Sequence, residues 1–381
     1  MTRYDVAVIG AGVFGAWTAW HLAKRGQRVA LLEAYGPANA RASSAGETRI
    51  IRMGYGADEI YTHWSRNSLE QWKAFSAESN QPLFLRTGVL WLAGQDDSRL
   101  RCTEAALERS AIPFETMNRD SLAARYPQIA LDDVTTGILE PDSGVLLARR
   151  AVAAVVAKSI EHGVDFRVTQ VQAPGGSRRV DAVQSVAGEA FSAGQFVFAC
   201  GPWLPRLFPD LLGDRIFPTR QEVFFFGVPP GDSRFAPPAL PTWLFQDDQF
   251  YGMPDIEARG LKIAWDGHGE KIDPDSQSRV VSPKMTQTVR DYVARRFPAL
   301  RDAPIVETRV CQYENTSNGD LLIDRHPGFE NVWLVGGGSG HGFKHGPTIG
   351  QHVAALLLDG APIEPRFSLE SKKTVQKRTV Y

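Results

Sequence analysis

The run that most restricts this chain lies at its start. Tyr4 to Ile9 reads as a short buried strand, and Gly10-Ala11-Gly12-Val13-Phe14-Gly15 is a glycine turn. Ala16 to Arg25 then reads as a helix stopped by Gly26, and Arg28 to Leu32 as a second strand. This is one complete βαβ unit with G-x-G-x-x-G at its strand-to-helix junction, where the motif carries a mechanism. Gly10 permits the tight turn, Gly12 lets the backbone approach a pyrophosphate, and Gly15 lets helix and strand pack closely. The helix N-terminus offers unpaired N–H groups and a positive dipole to phosphates. Glu33, at the end of the second strand, suits ribose hydroxyls and would repel a 2′-phosphate, which argues against NADP. The unit predicts dinucleotide binding but does not separate NAD from FAD.

Similar pieces recur further along. Helices are predicted over Glu59 to Ser76, Arg99 to Ser110, Ser121 to Arg125 and Ala148 to His162, and Leu83 to Leu92 is predicted to be extended with a turn at Thr87-Gly88. Strands are predicted over Val164 to Val171, Phe191 to Ala199 and Asn331 to Val335, with a final helix over Pro347 to Leu358. Between Ile216 and Val310, alternating or aromatic-rich runs separated by Pro/Gly turns predict a mostly antiparallel sheet. The expected fold is α/β: a discontinuous Rossmann-type nucleotide-binding domain (1–85, 145–215 and 320–381) and a mainly antiparallel substrate domain (86–144 and 216–319).

Composition narrows the partners. In 381 residues, 42 Lys+Arg stand against 43 Asp+Glu, a balance that argues against nucleic acid and anionic membranes. The basic tail of Lys372, Lys373, Lys377 and Arg378 is expected to be a solvated terminus. Three cysteines with no C-x-x-C pair form no disulfide framework and suit a reducing compartment. Without a secretory signal or a membrane-length apolar run, the expected place is the cytoplasm, with no metal and no membrane partner.

Several further segments occur in a fixed order: Gly46-Glu47-Thr48-Arg49-Ile50-Ile51-Arg52, Glu140-Pro141-Asp142-Ser143-Gly144, Ala199-Cys200-Gly201-Pro202-Trp203 and Tyr251-Gly252-Met253-Pro254. They continue with Gly260-Leu261-Lys262, Cys311-Gln312-Tyr313 and Ser339-Gly340-His341-Gly342-Phe343-Lys344. Together they resemble monomeric sarcosine oxidase and its relatives, which include N-methyltryptophan, pipecolate and fructosyl-amino-acid oxidases, from Asp5 to about Gly350. The resemblance implies a monomeric FAD enzyme that oxidises a secondary or N-alkyl amino acid and passes the electrons to oxygen, giving hydrogen peroxide.

The same resemblance implies residue roles. Arg52 and Lys344 hold the substrate carboxylate, as guanidinium forks do, and Arg49 lies near the flavin ring; read without it, Arg49 and Arg52 equally suit surface ion pairs with Glu47 or Asp58. Lys262, by composition alone a solvated strand lysine, becomes the cation linked through water to the flavin N5, with Thr48 on the same water. Cys311 matches the cysteine bonded covalently to the flavin 8-methyl group. Tyr55, Tyr251 and Tyr313 match pocket aromatics, with His341 beside them. Cofactor contacts are expected from Gly10, Gly12, Val13, Phe14, Gly15, Glu33 and Ala34, and from Ser43, Ser44, Thr48 and Val171. Others are expected from Cys200, Gly201, Trp203, Cys311, Gly340, Gly342, Phe343 and Lys344. Three positions depart: Ala45, Met53 and Asp266 stand where sarcosine oxidases carry histidines. Glu314 replaces a small hydroxyl residue, and as an acid near the pocket it is expected to face a polar or cationic substrate. A dehydrogenase with another acceptor, a nicotinamide-binding reductase and a non-catalytic relative remain open from the sequence.

Overall fold

The structure is a computed structural model that describes residues 3–176 and 178–375. Strand β1 (Arg3–Ile9), helix α1 (Val13–Lys24) and strand β2 (Val29–Glu33) form the opening unit. Helix α1 starts at Val13, earlier than the predicted Ala16, because extended Gly12 serves as its N-cap and the Val13 N–H is taken by the Ser44 hydroxyl at 3.0 Å. The glycine turn is therefore shorter than the motif, and its last three residues already lie in the helix.

Around this unit stands a seven-stranded sheet in the order Leu322–Arg325, Val332–Gly336, Ala190–Phe198, β1, β2, Asp165–Val168, with Ala182–Gln184 beside Ala190–Phe198. The central pairs are parallel, whereas the pairs made by Leu322–Arg325 and Ala182–Gln184 are antiparallel. Parallel strands need cover on both faces, and β2 is accordingly apolar along its length, with Val29 to Leu32 buried. The strand order switches at β1, with β2 on one side and Ala190–Phe198 on the other, so a crevice opens beyond its carboxyl end, where open α/β sheets bind ligands.

The second sheet has eight strands: Ile305–Thr316, Ile216–Phe226, Leu261–Trp265, Phe250–Met253, Thr242–Phe245, Val89–Ala93, Thr136–Glu140 and Glu115–Asn118. It is antiparallel except where Thr242–Phe245 runs parallel to Val89–Ala93. The predicted extended run Leu83 to Leu92 divides at the Thr87-Gly88 turn. Phe84–Leu85 joins a three-stranded sheet with Gly144–Leu146 and Arg49–Ile51, and Val89–Ala93 enters the eight-stranded one. The predicted strand Val164 to Val171 shortens to Asp165–Val168, with Val171 in an isolated bridge to Ser185.

One expectation about the tail fails. Lys372 is buried, not solvated: its Nζ donates to the Arg366 carbonyl at 2.7 Å and to Asn318 at 3.3 Å, and burial pushes its pKa down to about 8. Its long apolar stem fills space while its ammonium finds carbonyl partners, which a charge count cannot anticipate. Lys377 and Arg378 lie outside the described residues. Among the described residues no helix is long and apolar enough to cross a membrane.

A Cβ on Gly15 would run into the Gly10 carbonyl oxygen. Gly15→Ala is therefore expected to lower stability by about 1–3 kcal/mol or more, as overpacking does; thermal denaturation of the two proteins side by side reads the loss.

Candidate active site

The crevice beyond β1 is a cleft of about 370 Å³. Gly10 sits at φ +98°, a conformation that favours glycine, and a Cβ there would collide with the Ala199 backbone. The expected cofactor contacts Gly10, Gly12, Val13, Phe14, Glu33, Ala34, Ser43 and Ser44 all line this cleft, as do Val171, Cys200, Gly201, Trp203, Gly340, Gly342 and Phe343. Gly15 packs behind it. The Glu33 carboxylate accepts from the backbone N–H of Ala11 at 2.7 Å and of Tyr35 at 3.1 Å, which fixes it at the end of β2, and burial raises its pKa.

A second cavity, of about 420 Å³, adjoins the first through Arg49 and is lined by Lys262 and Cys311. Arg49 donates to the carbonyls of Thr48 at 2.9 Å and Ser43 at 2.8 Å, and its Nη2 lies 3.5 Å from the Cys311 sulfur. Lys262 is buried: its Nζ donates to the Thr48 carbonyl at 2.8 Å and hydroxyl at 3.1 Å, while the Thr48 hydroxyl turns to the Met253 sulfur at 3.6 Å. Strand alternation holds here, since Leu261 and Ile263 join a core cluster and Lys262 faces Thr48. Burial, then the Arg49 charge, depress the Lys262 pKa well below the ordinary lysine value.

The third group is Arg52, Tyr55, Lys344 and Asp266. The Arg52 guanidinium stacks 4.2 Å from the Tyr55 ring centre and 4.7 Å from that of Trp91, and it donates to the Gly54 carbonyl. Lys344 donates to the Tyr55 hydroxyl at 2.6 Å and to the His341 carbonyl at 3.0 Å; burial and then Arg52 depress its pKa strongly. The Tyr313 hydroxyl donates to Asp266 at 2.8 Å. Burial pushes Asp266 up to about 6, against the hydrogen bond from Tyr313 and the pull of Arg52 and Lys344. Burial likewise pushes Tyr251 up to about 12, with the Asp266 charge adding to it. His341 Nε2 lies 3.0 Å from the Gly319 carbonyl and so carries the proton, leaving Nδ1 to accept from Tyr55 at 3.1 Å.

Neither arginine pairs with Glu47 or Asp58, the alternative open from the sequence. Glu47 pairs with Arg309 at 2.7 Å, and Asp58 with Arg366 at 2.9 Å. Glu314 also lies elsewhere than expected. Its carboxyl is packed against Gly201 and Gly336 and lines the dinucleotide cleft. Tyr313 lines the same cleft but turns its hydroxyl to Asp266, whereas the Glu314 carboxyl packs against the two glycines. Sequence reasoning gave no role to Trp91 or Glu140. The buried Glu140 carboxylate accepts from Met53 N–H at 2.7 Å, Gly54 N–H at 3.0 Å, Trp91 Nε1 at 2.7 Å and Ser143 Oγ at 2.6 Å. Its place in the quoted Glu-Pro-Asp-Ser-Gly segment was the available signal.

A glycine cradle at a helix N-terminus, continuing into a buried cluster of cations and phenols, belongs to an oxidoreductase built around a dinucleotide cofactor. The cofactor follows from the comparison of sequences. The profile of the FAD dependent oxidoreductase family matches residues 5–356, and this chain belongs to that family. It is 29% identical to the monomeric sarcosine oxidase of Bacillus sp. (strain B-0618) over 100% of both chains. It is 30% identical to the peroxisomal sarcosine oxidase of Mus musculus, with 97% of each covered. In fold it is similar to the L-proline dehydrogenase of P. horikoshii, with a TM-score of 0.83 and 21% identity over 96% of this chain and 97% of that one. The residues present fit FAD: the cradle is one that Cβ atoms would fill, and Gly12 caps α1 without a side chain.

Replacing Glu140 by Ala strands the buried N–H groups of Met53, Gly54 and Trp91. Unfolding in urea is expected to show a loss of at least about 2–3 kcal/mol, with a smaller loss for Glu140→Gln.

Proposed function

We propose that this enzyme oxidises the C–N bond of a small N-substituted amino acid to an imine, with oxygen reduced to hydrogen peroxide. The observation that carries the reading is that Arg52 and Lys344 act on one buried Asp266 within reach of Tyr313, while Lys262 and Arg49 lie at the seam with the dinucleotide cleft. The names of the sarcosine oxidases support the substrate class. The FAD-binding domain comprises 1–85, 145–215 and 320–381 and the substrate domain 86–144 and 216–319, with Arg52, Tyr55 and Lys344 of the first reaching the substrate. The protein works as a monomer in the cytoplasm.

Bound FAD supplies the hydride acceptor, as flavins do. Arg52, held flat between Tyr55 and Trp91, presents its free N–H edge to the substrate carboxylate, and Lys344 adds a second donor from the Tyr55 side. Both groups are fixed before substrate arrives, so little ordering entropy remains to oppose binding. Tyr251 and Tyr313, whose phenols burial keeps neutral, wall the pocket and exclude water. Lys262, when protonated, stabilises negative charge developing on oxygen, and Thr48 holds its Nζ in place. Cys311, beside Arg49, is the covalent attachment point for the flavin 8-methyl group. Water hydrolyses the imine product.

Asp266 favours a second reading of the substrate. Sarcosine oxidases carry a histidine at this position, and a carboxylate there suits a hydroxylated N-substituent, such as a sugar-amine adduct, better than a bare methyl group.

Anaerobic bleaching of the flavin against a panel of N-methyl, cyclic and sugar-derived amines tests the reading; a flavin that stays oxidised with every amine overturns it. Arg52→Gln is expected to raise KM roughly 10- to 100-fold, the equivalent of about 1.5–3 kcal/mol of charged hydrogen bonding. The Lys262 cation is lost as pH rises through its depressed pKa. Stopped-flow reoxidation by oxygen should therefore slow with rising pH, and in Lys262→Met it should be about 10²–10³ times slower and without that dependence. Acid precipitation should leave the yellow colour on the protein, and its complete release would exclude the Cys311 bond.

A further inference from the structure

A buried polar group that this reaction leaves unused is Glu314. Its residue is 6% exposed, its carboxyl lines the dinucleotide cleft, and its Oε1 has no hydrogen-bond partner among the described residues. Room for it is made by two glycines: a Cβ on Gly336 would collide with Oε1, and one on Gly201 would lie 3.9 Å from Oε2. The strand Ile305–Thr316 fixes the backbone, and the Ser339 N–H donates to the Glu314 carbonyl at 2.9 Å, so the side chain cannot swing to the substrate side without breaking the ladder.

We propose that Glu314 is a cofactor-binding residue of this chain, acting as a neutral carboxylic acid that donates a hydrogen bond to an oxygen of FAD. An ionised carboxylate facing phosphates or a reduced flavin would repel them, whereas a protonated one offers a donor at no cost in charge. The surroundings agree. Burial pushes the Glu314 carboxyl up to about 8, only partly offset by the backbone N–H groups of Gly337 and Gly338. The charged and titratable groups lining the same cleft are Glu33, Tyr35, Arg49, Cys200, Arg206, Asp275 and Tyr313. None of them is among the causes that set the Glu314 shift, and burial pushes the Cys200 thiol up as well. An anionic cofactor entering the cleft pushes the acid further toward its protonated form. Glu314 replaces the small hydroxyl residue of the sarcosine oxidases, so the donor is kept while a titratable proton is added. Reduction of the flavin is then coupled to that proton in this chain.

The inference rests on FAD lying in this cleft. The test uses purified holoprotein and Glu314→Gln, which keeps a donor of the same shape but cannot ionise. Redox-difference infrared spectroscopy reads the protonated-carboxyl C=O stretch, and spectroelectrochemistry reads the flavin midpoint potential across about pH 6 to 10. The wild-type protein is expected to show a carboxyl band that the variant lacks, and a bend in its potential at or above about pH 8 that is missing from the variant. If Glu314→Gln purifies without flavin, the same curve is read on Glu314→Thr, whose hydroxyl donates without titrating in this range. Superimposable spectra and potential curves from yellow proteins overturn the assignment of Glu314 alone. A colourless wild-type protein overturns FAD binding with it.

Discussion

The Glu140 carboxylate is the interaction on which the rest of the site depends. It ends a strand of the eight-stranded sheet, is fully buried, and takes four donors: two backbone N–H groups following Arg52, the Trp91 indole and the Ser143 hydroxyl. A buried carboxylate is costly unless its lone pairs are met, and here each oxygen has two donors. The same bonds hold the Arg52 loop against the large sheet and set the Trp91 ring over which the guanidinium lies. One negative charge therefore fixes the position of one positive charge across two sheets.

Around that hub the cations divide by what surrounds them. Arg49 and Lys262 lie beside the Cys311 sulfur and the carbonyls of Ser43 and Thr48, with Arg49 reaching the mouth of the dinucleotide cleft. Arg52 and Lys344 lie among phenols, with Asp266 as their counter-charge. Burial, and next a neighbouring arginine, hold the pKa of both lysines well below the ordinary lysine range.

How much of this was legible depends on the range of the interaction. The opening βαβ unit was readable because its signals are local: apolar strands, glycines at fixed spacing and a helix stop all lie within a few residues of one another. Helix limits shifted by up to three residues, as at Val13, because the Ser44 hydroxyl that takes the first N–H comes from a distant loop. Lys372 was misread because a tail rich in lysine looks solvated until the carbonyl of Arg366 is known to lie beneath it. Glu314 was assigned to the substrate because it adjoins Tyr313 in sequence, yet its carboxyl packs against Gly201 and Gly336 in the dinucleotide cleft.

By itself the sequence determined the dinucleotide turn, the alternation of parallel and antiparallel regions, and the residue types present at each motif, since these follow from spacing along one chain. The tertiary structure decided which charges meet. It took Glu47 and Asp58 away from Arg49 and Arg52, gave Thr48 to Lys262, and turned Glu314 toward the cofactor cleft. The reason is physical: in a buried site the cost of desolvation makes every charge answer to its neighbours in space, and those neighbours come from segments hundreds of residues apart.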